Sequence, residues 1–102
     1  MSTIKVIIKR WTEPFGHVAE IDNSVEKIQM IVGGHFEPVP ITSELIFLCN
    51  EEGKLLGLPP NFKTPYDTIV GSVIVCGVDG EEFADVPISV DDWSQLLDMW
   101  GN

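Results

Sequence analysis

Cations are scarce in this sequence, and past its first third they almost vanish. From His35 to Asn102 only Lys54 and Lys63 stand against twelve acids. Met1 to Gly34 is balanced, with Lys5, Lys9, Arg10 and Lys27 offsetting Glu13, Glu20, Asp22 and Glu26. The formal net charge of −10 therefore belongs to the later two-thirds, and from Asp79 onward there are seven acids and no cation. A surface of this sign repels nucleic-acid phosphates and anionic membranes, which argues against direct binding to either. It leaves two readings open: contact with a basic protein surface, or a solvated acidic surface that aids solubility.

Other absences narrow the class further. No apolar run approaches membrane-spanning length. The opening MSTIKVIIKRW has a Lys inside its apolar stretch and no small-residue cleavage site, so it reads as a strand rather than a signal peptide. The expectation is a soluble, cytoplasmic protein. Cysteine occurs twice, at Cys49 and Cys76, each inside an apolar run, which suits free buried thiols. With His17 and His35 they lack the short paired spacing of zinc ligands, so no metal site is expected. There is no P-loop, G-x-G-x-x-G, G-x-S-x-G or H-E-x-x-H, and no cofactor is expected.

What is present suits a folded domain. Hydrophobic residues make up 44% of 102 residues, and one domain over 1–102 is the default at that length. Thr3 to Trp11 alternates like a strand, Glu13-Pro14-Phe15-Gly16 is a turn, and His17 to Ile21 returns as a second strand. Asp22-Asn23-Ser24 starts a helix, with Asn23 as cap, Glu26 three residues on and Gly33 as the left-handed stop. His35 to Ile41 is extended, but Pro38 and Pro40 confine it to an edge. Leu45 to Cys49 and Val73 to Val78 are continuous apolar strands of the kind buried on both faces. Asn50-Glu51-Glu52-Gly53 reads as a hairpin turn, Lys54 to Leu58 as its returning strand, Pro59-Pro60 as the break and Asn61 to Asp67 as loop. Asp79-Gly80 is a turn and Glu81 to Ile88 a polar, partly extended return. Ser89 to Trp100 is the clearest helix, with a Ser-x-x-Asp capping box and Trp93, Leu96, Leu97 and Trp100 on one face. The sum is an α+β fold, a mainly antiparallel sheet with helices at about 24–32 and 89–100 packed on it.

Candidate site residues gather between Gly33 and Asn61. His35 and Glu37, two apart on an extended segment, should share a face, and a His beside a carboxylate is the arrangement of a tuned acid or base. The ordinary alternative is a surface pair, or a His satisfied locally. Asn50, Glu51 and Asn61 add polar groups able to read a small ligand, although a turn acid and a loop-capping amide explain them equally well. Asp91, Asp92 and Asp98 form the acidic face of the last helix and are the candidates for a protein contact. Trp100, close to the last residue, is either core or part of a homo-oligomer contact.

The wording of this region resembles a known family. Val32-Gly33-Gly34-His35-Phe36-Glu37-Pro38-Val39, then Asn50-Glu51-Glu52-Gly53-Lys54-Leu55-Leu56-Gly57-Leu58-Pro59-Pro60-Asn61, then Ile69-Val70-Gly71-Ser72-Val73-Ile74-Val75 are similar to the motifs of the domain-of-unknown-function family 3846. Ala19-Glu20-Ile21-Asp22-Asn23 is similar as well. The resemblance spans roughly Ile4 to Asp79 and leaves out the acidic helix from Ser89 to Asn102. It implies a small phage, plasmid or bacterial protein, and no activity. The leading expectation is a non-enzymatic binding domain that meets a basic host protein through its acidic surface. The alternatives are capture of a nucleotide-like signal by residues 33–61, and an enzyme built on His35 and Glu37.

Overall fold

In the computed structural model, which describes residues 2–102, the α+β expectation holds. The chain forms β1 (Thr3–Lys9), β2 (His17–Asp22), α1 (Val25–Val32), β3 (Phe36–Pro40), β4 (Leu45–Asn50), β5 (Pro60–Lys63), β6 (Thr68–Val70), β7 (Val73–Asp79), β8 (Glu82–Ala84) and α2 (Val90–Met99). One antiparallel sheet runs β2-β1-β7-β4-β3, with β8 also paired to β7, and β5 and β6 form a separate two-stranded ribbon.

The apolar runs of β4 and β7 follow from where these strands lie. They neighbour each other at the centre of the sheet, and both faces of the sheet are covered. Side chains alternate along a strand. Ile46, Leu48, Ile74 and Cys76 therefore face α1, through Ile28 and Val32. Phe47, Cys49, Val73 and Val75 face the other way, onto Phe62 and Ile69 of the ribbon and Trp93 and Leu97 of α2. No face is left for polar residues. Each fully buried side chain of this kind contributes about 1.5–3 kcal/mol.

Several local readings are corrected. The cap of α1 is Ser24, whose hydroxyl accepts from the Lys27 amide at 3.2 Å, while the Asn23 side chain donates to Phe83 O at 3.1 Å. Residues 51–57 are not a turn plus a strand. They coil through successive tight turns, with Leu56 N–H donating to Glu52 O and Leu58 N–H to Gly53 O. Leu55 and Leu56 consequently point to solvent, at 87% and 57% exposure. Pro60 begins a strand instead of ending one, and Asn61 to Lys63 continue that strand rather than forming loop. Pro60 pairs with Val70, and the register shifts between Pro60 and Phe62, an irregularity that accommodates the missing amide.

At one end β8 wedges between β7 and β1. Gly77 pairs with Ala84, the Lys5 amide donates to Asp85 Oδ1 at 2.8 Å, and the Val86 amide donates to Lys5 O at 2.8 Å. A Cβ on Gly77 would collide with Asp85 O, so only glycine admits the wedge. At the other end Asn102 acts as a surrogate strand neighbour. Its side-chain amide accepts from Lys63 N at 2.8 Å and donates to Lys63 O at 2.9 Å, holding the end of α2 against the ribbon.

Candidate functional site

The ribbon and α2 do not cover the sheet as far as β3, and a groove remains along that edge. Its larger cavity, about 460 Å³, is walled by Val39 and Ile41, by Phe47, by Tyr66 of the ribbon loop and by Leu96 and Trp100 of α2. A smaller cavity of about 150 Å³ lies between β4, the coil at 51–55 and β6. Glu37, Asp67 and Ile69 line both. The larger cavity is walled mainly by apolar side chains, the smaller one is mixed, and both carry the carboxylates of Glu37 and Asp67.

Local chemistry shapes the rim of the groove. Thr64 Oγ1 accepts from the amides of Tyr66 and Asp67, at 3.1 and 3.0 Å, which tightens the ribbon loop and leaves Tyr66 95% exposed above the cavity. Lys54 Nζ reaches Asp67 at 2.5 Å. This hydrogen bond, with one from the Thr68 amide, holds the Asp67 carboxyl below its ordinary range. Lys54, the one cation among the described residues that lines either cavity, is thereby engaged. The carboxylates of Glu37 and Glu51 have no hydrogen-bonding or ion-pair partner among the described residues.

The residues singled out in the sequence are dispersed. His35 precedes β3 and its Nδ1 lies 3.4 Å from Gln29 Nε2 on α1. Glu37 lines the cavities on the opposite face. The pair expected to share a face is thus split by the sheet, because the strand begins only at Phe36 and the double glycine turns His35 back to the helix. Asn50 is buried and spent: its Nδ2 donates to Val32 O at 3.2 Å and its Oδ1 accepts from the Glu52 amide at 2.8 Å. Asn61 is likewise spent, donating to Lys9 O and Gly71 O and accepting from Lys9 Nζ at 2.6 Å. Of the five residues from 33–61, Glu37 and Glu51 border a groove with open side chains.

On α2, Asp91, Asp92 and Asp98 are all exposed, and Asp92 also closes the capping box with Ser89. Asp98 lies in the last turn, where the helix dipole disfavours an acid and no base offsets it. Trp100 is half-buried, stacked on Phe62 with ring centroids 6.3 Å apart, and helps wall the cavity. Cys49 and Cys76 are free and buried on opposite faces of the sheet. Among the described residues no three His, Cys, Asp or Glu side chains assemble as metal ligands, and no helix is long and apolar enough to cross a membrane.

Sequence reasoning missed the walls of the groove. Val39, Ile41, Leu96 and Trp100 carry ordinary core signals, and Tyr66 stands in what reads as plain loop. Their convergence depends on the placement of α2 over β4, which no local pattern encodes.

A mixed α+β domain with an antiparallel sheet sandwiched between α1 on one side and α2 with a ribbon on the other is thus the class the fold defines. The chain belongs to the family described as Domain of unknown function (DUF3846), whose model matches residues 4–100. The match takes in α2, so the acidic helix is part of the family domain and not an appendage to it. No curated protein and no solved structure matches the chain.

Proposed function

We propose that this is a non-enzymatic binding domain that docks a basic segment of a protein partner in the groove along β3. The observation that carries the reading is the unpaired Glu37 carboxylate at the mouth of an apolar cavity of about 460 Å³ on a chain of net charge −10. An apolar anchor from the partner fills the cavity, and an adjacent Lys or Arg meets Glu37. Asp91, Asp92 and Asp98, exposed on α2, add to the negative field of the whole surface. The resemblance to proteins of phages and mobile elements makes a host protein the natural partner. The split of His35 from Glu37 removes the support for an acid–base enzyme.

The test uses a synthetic helical peptide bearing Arg and a single Trp. Titration calorimetry should show saturable binding that weakens steeply with added salt, because exposed charges are screened within about 10 Å at 0.1 M. Glu37→Lys and Trp100→Ala should each abolish it. Binding indifferent to salt and to both substitutions would sink the proposal.

A small-molecule site is the second reading, since the cavity volume falls within the usual range for ligand pockets, roughly 300–1,000 Å³. A nucleotide suits it poorly, because Lys54, the sole lining cation among the described residues, is held by Asp67. A thermal-shift screen separates the two readings, as a ligand selective for the folded state raises the melting temperature. Stabilisation by a nucleotide that is lost in Glu37→Lys would favour capture over docking.

A further inference from the structure

The two edges of the sheet are finished in opposite ways. On β3, Glu51 N–H donates to His35 O and Ile41 N–H to Leu45 O, and the register between them is unbroken. Antiparallel pairing alternates, so the main-chain groups of Phe36, Pro38 and Pro40 point outward. Two of those three carry no N–H, and the β3 edge is closed to another strand.

On β2 the same reasoning gives the reverse. Asn23 N–H donates to Ser2 O, and the β1–β2 register runs unbroken from Thr3↔Asp22 to Ile8↔His17. The outward groups are therefore those of Val18, Glu20 and Asp22. None of these three amides has a protein acceptor among the described residues. There is no proline, bulge or lysine on this strand to discourage pairing, which are the usual means of protecting an edge. Val18 is 49% exposed, and the loop that leads into the strand carries Trp11 and Phe15 at 46% and 44%.

We infer that the open edge of β2 accepts an added antiparallel strand from a partner whose extended segment carries Lys or Arg at alternate positions. Val18, Glu20 and Asp22 share one face of the strand, so residues placed opposite them meet two carboxylates in alternation. Opposite charges across a ladder stabilise it, whereas like charges destabilise it. This decides the occupant. A second copy of the chain centred on this strand sets Glu20 against Glu20 and adds a net charge of −10 to one of −10. A cationic strand relieves both problems. Between the cations, small or apolar residues lie beside Ala19 and Ile21 on the other face. The surface is separate from the β3 groove and stands independently of the function proposed for it.

The probe is a short synthetic peptide alternating Lys and Val, with one alternating Glu and Val as control. In the full chain, the Lys peptide should slow amide exchange of Val18, Glu20 and Asp22 by roughly tenfold or more, the signature of newly bonded edge amides. The Glu peptide should not. Val18→Pro removes one outward donor and no existing ladder bond, and Glu20→Lys reverses the charge. Each should weaken binding of the Lys peptide by roughly tenfold, about 1.4 kcal/mol. Glu44→Lys, an exposed charge between β3 and β4 that belongs to neither surface, should leave it unchanged. Protection confined to other strands, equal binding of the two peptides, or loss of binding in Glu44→Lys but not in Glu20→Lys would overturn the inference. Should Val18→Pro unfold the chain, Glu20→Lys and the exchange pattern of the unaltered protein decide the matter.

Discussion

The ammonium of Lys9 donates to Asn61 Oδ1 at 2.6 Å, across a separation of 52 residues. Lys9 is 3% exposed, its ammonium also donates to Glu13 O at 2.9 Å, and it lies 5.8 Å from the Phe62 ring centre. Burial lowers its pKa, with the Glu13 charge pulling the other way. Asn61 meanwhile holds Lys9 O and Gly71 O. One amide therefore fastens the ribbon to the end of β1. Asn61→Ala strands a buried cation and two carbonyls and should cost about 3 kcal/mol in urea unfolding. Lys9→Met removes the charge itself and should cost less. Equal losses for the two would mean that the amide is not the fastening.

Alkaline pH should destabilise the fold through its thiols. Burial raises the Cys76 thiol to about 12, and burial with the charges of Glu37 and Asp67 raises Cys49 to about 11, from an ordinary 9.0. Between those values the unfolded chain has released protons that the folded one keeps. Stability from these groups is thus complete below the ordinary thiol pKa and is lost as pH rises, by up to about 1.4 kcal/mol per pH unit for each thiol. Lys9, with its pKa lowered, acts in the opposite sense, since the unfolded chain keeps that proton longer. Two thiols against one amine leave a net fall. Urea unfolding from about pH 8.5 to about pH 10.5 should show it, and a Cys49→Ala, Cys76→Ala double variant should abolish or reverse it.

Gly77→Ala tests the wedge of β8. The new methyl would occupy the place of Asp85 O, which is main chain and has no rotamer to yield. A loss of about 3 kcal/mol is expected. Gly80→Ala lies nearby with nothing close to its would-be Cβ, although its φ of 64° gives it a conformational cost of its own. Chemical denaturation should rank Gly77→Ala as clearly the worse.

Replacing Pro38 and Pro40 together by Thr should restore outward donors on β3. If the prolines are what close that edge, the variant should associate at concentrations where the unaltered chain does not, as read by light scattering at moderate salt. Unchanged scattering would show that charge alone protects the edge.

The sequence and the structure agree wherever one residue's neighbours decide its state. The uninterrupted apolar runs of β4 and β7 announced burial on two faces, and the Ser89 capping box announced α2. Pro38 and Pro40 announced an edge. Disagreement begins where distant partners decide. Lys54 to Leu58 has the apolar content of a strand but finds no strand to pair with, and it coils. Asn61 reads as an open amide because Lys9 and Gly71, which occupy it, lie far away in sequence. Glu37 stands out in the sequence as a candidate, but the apolar groove beside it does not, since its walls come from β3, the ribbon loop and α2.

The central strand of the sheet arrives late. β7 joins the β1–β2 hairpin to the β3–β4 hairpin, which share no other hydrogen-bonded link in the sheet among the described residues. Both hairpins precede it on the ribosome, each with apolar side chains on two faces and an unpaired inner edge. Local pairing can proceed early, but the long-range closures that complete the core must wait. Until residues 73–79 emerge, the nascent chain exposes the kind of sticky edge and apolar surface that chaperones recognise. Its folding is therefore expected to be gated by how soon that segment clears the exit tunnel.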